Sequence, residues 1–180
     1  MITESILNDF RNGKKAAYDI IYKSYSAAMF GISLRYTRCR DDAQDVLQEA
    51  FIKIYVNREK YDVSQPIGAW VKTITINSAL TYIKQNYKFT LIEDELDFDE
   101  IHYEQEDSLD LETLQQKLLK ILNQLPDGYR TVFNLFTVDN LTHKEIAEYL
   151  EISEGTSKSQ YFKAKKMIQQ IIEKEKVNHE

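Results

Sequence analysis

Between Glu93 and Asp110 the chain carries ten carboxylates and not one lysine or arginine. Like charges at that density repel, and the few apolar residues among them follow no sustained period. The stretch therefore reads as a solvated tether that divides the 180 residues into two blocks, each folding around its own apolar side chains. Charge divides the same way: residues 1–92 hold a surplus of +4, the divider −10, and residues 111–180 balance at 0. The overall charge of −6 thus describes the divider and says little about what the flanking blocks bind.

Only five Gly and two Pro punctuate the chain, and 43% of its residues are hydrophobic. Few turn signals and enough apolar surface for a core point to an all-α protein made of two small helical domains. In the first block, Ala17, Ile20, Ile21, Tyr25, Ala28, Met29 and Ile32 step at helical spacing through Lys14 to Thr37. A second helix is expected from a cap at Asp41 or Asp42 to about Glu59, with Val46, Leu47, Ala50, Phe51, Ile54 and Tyr55 apolar. A loop from Tyr61 to Gly68 precedes a third helix, Ala69 to about Lys88. The β-branched run Thr73 to Ile76 leaves a strand open as the second choice there. The second block reads as helices over Leu111–Leu125, Tyr129–Val138, Thr142–Leu150 and Glu154 to about Lys174.

A single cysteine, Cys39, excludes an internal disulfide, and the three histidines lack metal or triad spacing. His102 falls in the divider and His179 near the end, so an enzyme is the weakest reading, with no cofactor and no metal expected. The longest uncharged runs, Ser24–Leu34 and Thr73–Ile83, have 11 residues each, and a membrane-spanning helix needs about 20. The first residues lack the basic-then-apolar order of a signal peptide. A soluble, cytoplasmic protein without membrane insertion is expected.

The last two helices are separated only by Glu151-Ile152-Ser153, the layout of a helix-turn-helix. Ile146, Ala147 and Leu150 line the inner face, Ile152 plugs the turn, and Thr142 with Glu145 forms a capping box. The second helix offers Lys158, Ser159, Gln160, Phe162, Lys163, Lys165 and Lys166, side chains suited to phosphates, base edges and thymine methyls. Two residues fit such a motif less well: Glu151 sits where the turn favours Gly, and Ser157 where an apolar residue usually packs.

The stretch Leu125-Pro126-Asp127, Val132-Phe133, Leu141-Thr142-His143-Lys144-Glu145-Ile146-Ala147 and Ile152-Ser153-Glu154-Gly155-Thr156-Ser157-Lys158-Ser159 resembles region 4 of sigma-70 family RNA polymerase sigma factors. The pattern there is leucine-proline, then "Leu-Ser-Tyr-x-Glu-Ile-Ala", then "Ile-Ser-x-Gly-Thr-Val-Lys-Ser-Arg". Independently, Asp42-Ala43-Gln44-Asp45-Val46-Leu47-Gln48-Glu49-Ala50-Phe51, with Ala69-Trp70-Val71 and Asn77-Ser78-Ala79, resembles region 2. Both occur in order across the acidic divider, in a chain too short for the extra domains of larger sigma factors. The whole is similar to the small extracytoplasmic-function (ECF) subfamily.

That resemblance implies a transcription initiation factor that joins core RNA polymerase, through the β′ clamp and the β flap, and reads promoter DNA. Asp42, Asp45, Gln48 and Glu49 would form the surface for the β′ clamp coiled coil. Tyr61, Trp70, Lys72, Asn77, Tyr82, Lys84 and Lys88 would hold minus-ten DNA, supplying rings, a polar group and cations, although Trp70 could equally be a core residue. Ile76 and Lys84 stand where Arg is usual, and Thr81 where Asp is usual, so promoter choice does not transfer. Thr142, Lys158, Ser159, Gln160, Phe162, Lys163 and Lys166 would meet minus-thirty-five DNA. Gln160, where Arg is common, would turn preference toward adenine. The divider would thread the polymerase's RNA channel, and an anti-sigma factor would be a further partner. The competing reading is a helix-turn-helix regulator that never joins the polymerase; it leaves the Asp42–Phe51 pattern and the Trp70–Asn77 helix unexplained.

Overall fold

The computed structural model describes residues 2–86 and 114–177, so the acidic divider, Lys88, His102 and His179 lie outside the described residues. The chain divides into two compact units, Met1–Lys88 and Phe89–Glu180. The described residues form eight α-helices and no strand, as an all-α reading expects.

In the first unit, α1 (Glu4–Arg11), α2 (Lys15–Tyr36), α3 (Arg40–Val56) and α4 (Ile67–Asn86) follow in order. Helices α2, α3 and α4 pack pairwise around one core, and α1 lies against α2. Ala17, Ile21, Met29, Ile32 and Tyr36 of α2 meet Val46, Phe51 and Ile54 of α3 and Val71, Leu80 and Ile83 of α4 in the buried interior. Ala43, Ala50 and Ala79 are buried among them, small enough for the helix backbones to approach closely.

Local chemistry sets the ends. Thr3 Oγ1 accepts from the Ile6 amide at 3.4 Å and starts α1, which buries Phe10. Gly13 turns the chain at φ +76°, and a Cβ there would meet the Arg58 guanidinium at 3.1 Å. The cap of helix α3 lies two or three residues earlier than the expected Asp41 or Asp42. Cys39 is the N-cap, its sulfur accepting from the Asp42 amide at 3.4 Å. Asp41 and Asp42 lie in the first turn, where carboxylates suit the positive helix end. Helix α4 runs unbroken through Thr73 to Ile76. Thr73 donates back to the Ala69 carbonyl at 3.0 Å and Thr75 to that of Val71 at 2.9 Å, so both hydroxyls are satisfied inside the helix.

In the second unit, α5 (Leu114–Asn123), α6 (Asp127–Phe133), α7 (His143–Leu150) and α8 (Glu154–Val177) are arranged around α8, against which α5, α6 and α7 all pack. Leu122, Leu125, Tyr129, Ala164 and Met167 form the core, flanked by Phe133, Ile168 and Ile171. The expected Tyr129–Val138 helix begins earlier and widens at its end into a π-helical turn, Asn134–Val138, closed by the Asp139 amide on the Asn134 carbonyl at 3.0 Å.

Candidate functional site

Helix α3 turns Ala43, Val46, Ala50, Phe51 and Ile54 inward, which leaves Asp45, Gln48 and Glu49 together on the exposed side. Glu49 also pairs with Lys53 at 3.3 Å, one turn on. Exposed pairs of this kind add little to stability, so the carboxylates remain available to a partner's cations. Ile52 and Val56 continue the same face and are exposed too. They join an apolar strip to the acidic one, a feature absent from the sequence reading although the i, i+4 spacing from Gln48 to Ile52 signals it.

Asp42 is half-buried at the edge of this face. The Tyr82 hydroxyl on α4 donates to its Oδ1 at 2.8 Å. Burial first, then this bond and the nearby carboxylate, push the Tyr82 phenol up to about 12. The bond ties a residue expected at the polymerase surface to one expected at minus-ten DNA. Replacing Tyr82 by Phe is expected to cost about 1 kcal/mol, read in urea unfolding of the full chain by fluorescence of Trp70, the chain's one tryptophan. An unchanged midpoint would mean that the bond adds nothing to folding.

On α4, Asn77 and Lys84 are exposed and Lys72 half-buried. Trp70 is also half-buried, edge-on to Phe10 at 6.3 Å and tilted against Tyr61 at 5.2 Å. Tyr61 corrects the sequence reading. It is 1% exposed, and its hydroxyl donates to the Gln65 carbonyl, so it props the loop from within and offers no ring to a base. Ile76, where Arg is usual, points into the core.

In the second unit the helix-turn-helix is closed by local bonds. The Glu145 amide donates to Thr142 Oγ1 at 3.3 Å, and Glu145 Oε2 accepts from the Thr142 amide at 2.7 Å, completing the capping box. The Thr142 hydroxyl also donates to Glu145 Oε2 at 2.7 Å, and this bond first, then that from the Thr142 amide, hold the Glu145 carboxyl below its ordinary range. Glu151 takes the left-handed conformation, φ 57°, at the turn, and the Ile152 amide donates to the Ala147 carbonyl at 3.0 Å. Ser153 Oγ then caps α8 by accepting from the Thr156 amide at 2.9 Å.

Along α8, Lys158, Ser159, Phe162 and Lys166 are exposed and Lys163 half-buried, all on one side, with Phe162 68% exposed. Lys158 also reaches Glu154 at 2.6 Å, which lowers the Glu154 carboxyl through that hydrogen bond and then through charge. Gln160 is the second correction. It is 3% exposed and packs over Gly128, where a Cβ would meet its Oε1 at 2.7 Å. The helix turns this residue inward, and the adenine preference tied to it falls away. Thr142 is exposed, but its hydroxyl is engaged in the cap.

Comparison with known proteins supplies the family. The family model for sigma-70 region 2 matches residues 21–89, and that for sigma-70, region 4, matches residues 115–168. The ECF RNA polymerase sigma factor SigW of Bacillus subtilis is 30% identical, with 93% of this chain and 95% of that protein covered. The chain belongs to the sigma-70 family, as an ECF RNA polymerase sigma factor. The ECF sigma-E factor of Haemophilus influenzae is 27% identical, covering 94% of this chain and 95% of the relative. Among solved structures, the sigma factor RpoE in complex with the anti-sigma factor NepR from Bartonella quintana shares the fold. Its TM-score is 0.53 at 22% identity, over 87% of this chain and 96% of that one.

Within this sigma factor the two units hold separate surfaces, an acidic and apolar one on α3 and a basic and aromatic one on α8. Among the described residues there is no group of three or more metal-ligating side chains, and no helix is long and apolar enough to cross a membrane.

Proposed function

We propose that this ECF sigma factor binds core RNA polymerase through α3 and directs it to promoters, α4 engaging minus-ten DNA and α8 minus-thirty-five DNA. One observation carries the reading: a single chain presents both an exposed carboxylate face, Asp45, Gln48 and Glu49, and a capped helix-turn-helix whose outer side is Lys158, Ser159, Phe162, Lys163 and Lys166. A plain DNA-binding regulator needs only the second.

On the first surface, carboxylates pair with Arg or Lys on a partner helix while Ile52 and Val56 desolvate the contact; charge sets register and apolar area adds affinity. On α4, Trp70, Asn77, Tyr82, Lys72 and Lys84, with Lys88 further along the chain, supply stacking surface, an edge-reading amide and phosphate contacts for an unpaired strand. On α8, lysines neutralise phosphates while Ser159 and Phe162 face the bases. The working division is residues 1–92 for polymerase and minus-ten DNA, 93–110 as the acidic tether, and 111–180 for minus-thirty-five DNA and the β flap. The tether's carboxylates suit a basic RNA channel. The factor acts in the cytoplasm by binding alone, without a catalytic step or a cofactor. An anti-sigma factor is the expected restraint, as NepR is the anti-sigma factor bound to RpoE in the Bartonella quintana complex.

Fluorescence anisotropy of the labelled full chain titrated with purified core polymerase tests the first half. Saturable binding, competed by an established sigma factor, is the expected result. Binding to DNA without binding to core would select the simple regulator instead.

A further inference from the structure

Between the two helices of the helix-turn-helix a polar contact stands where the resembling pattern has Tyr and Val. His143, the first residue of α7, brings Nδ1 to 2.9 Å from Oγ of Ser157 in the opening turns of α8. Ser157 is 0% exposed, so this partner replaces the water that its hydroxyl has lost. The imidazole is also stacked on Phe136 at 4.4 Å and 17°, and meets Tyr161 edge-on at 5.7 Å. Three elements therefore converge on one ring: the π-helical turn, α7 and α8.

We infer that His143 and Ser157 form a latch that positions α8 against α7, and that acid opens it. The inference rests on the reading of α8 as the DNA-facing helix only for its consequence in transcription; the latch itself is a property of the fold. His143 and Ser157 are positioning residues, acting on DNA through the angle of α8.

The charges around the ring fix the direction of the pH effect. From α8 it faces Lys158, Glu154 and Tyr161; its own helix adds Lys144 and Glu145, and the π-helical turn contributes Phe136, which does not titrate. Burial first, then Lys158, lower the imidazole from its ordinary value of 6.5, with Glu154 opposing. A proton would also sit near the positive N-terminal ends of both α7 and α8. The folded state thus favours the neutral ring, while the unfolded chain takes up a proton near 6.5. The contribution to stability is fully present above 6.5 and is lost as pH falls below it toward the folded value. The Tyr and Val of the resembling pattern would leave no group that titrates in this range.

The test is amide hydrogen exchange of the full chain at pH 7.5 and 5.5, corrected for intrinsic rates and read on peptides spanning α7 and α8. Four proteins are compared: wild type, His143→Tyr, Ser157→Val and the double variant. In wild type, protection is expected to drop roughly two- to tenfold on acidification, because the protonated ring, although it can still donate from Nδ1 to Ser157 Oγ, is held partly buried beside Lys158 and two helix N-termini. The double variant should hold its protection at both pH values, and each single variant should fall below it, since each leaves the latch half-made. Flat protection in wild type, or single variants as well protected as the double, would overturn the latch. Run-off transcription with core polymerase over the same pH range separates the two claims. An acid-dependent latch without any promoter-directed transcript supports the latch and removes the promoter reading. Transcription alike in wild type and double variant at both pH values would overturn the positioning role.

Discussion

Replacing Arg130 by Met is expected to destabilise the second unit by about 3–5 kcal/mol, the cost of removing one partner of a buried ion pair. Arg130 is 0% exposed, and its Nη2 lies 2.7 Å from Oδ1 of Asp127, itself buried. The pair spans i and i+3 at the start of α6, where the carboxylate also suits the helix N-terminus. Deleting the guanidinium takes the positive charge away from the Asp127 carboxylate in a helix whose Tyr129, Thr131 and Val132 are buried as well. The paired change Asp127→Leu with Arg130→Met should recover most of the loss, because two apolar side chains of similar volume often replace a buried ion pair without net cost. Amide exchange on peptides of α6 and α8 in the full chain measures both. A loss below about 1 kcal/mol for Arg130→Met alone would show that water reaches the site.

The second large effect is functional. Reversing the α3 face with Asp45→Lys and Glu49→Lys should weaken binding to core polymerase at least about thirtyfold, near the lower end of what close interfacial charge pairs contribute. Both side chains are exposed, and the ion pair of Glu49 with Lys53 that the change removes is itself largely exposed. Folding should therefore change by no more than about 0.5 kcal/mol, which separates a lost docking surface from a lost fold. Titration of the variant with core polymerase, beside its urea unfolding curve, reads the two quantities. Unchanged core affinity would remove α3 from the docking surface.

Much of the fold is legible in the sequence where apolar spacing and capping chemistry agree. Helices α2, α3 and α4 follow the period of their buried residues, and α7 follows from Thr142, Glu145 and the Ile146, Ala147, Leu150 face. The corrections fall where chemical type and position part company. Ser157, Gln160, Ala164 and Met167 form one buried stripe at helical spacing on α8, but the first two are polar, so chemical type alone places Gln160 on the outside. Tyr61 differs in the same sense: a phenol in a loop suggests a stacking surface, yet here it closes the loop on itself. Helix α1 gives little signal because it has only eight residues, with Phe10 its one fully buried anchor. The His143–Ser157 contact joins residues 14 positions apart on two helices, which no single-helix period reveals. Which side chains face outward on α3 can be read from its period; the Tyr82–Asp42 bond across to α4 cannot.

The central claim is that this chain turns core polymerase into a promoter-selective enzyme. Run-off transcription by purified core polymerase with the full chain, on a library of randomised promoters, tests it most directly. Selective transcripts are predicted, from templates that share two elements, one at minus ten and one at minus thirty-five. Core binding without selective transcripts, or DNA binding without core binding, would contradict it.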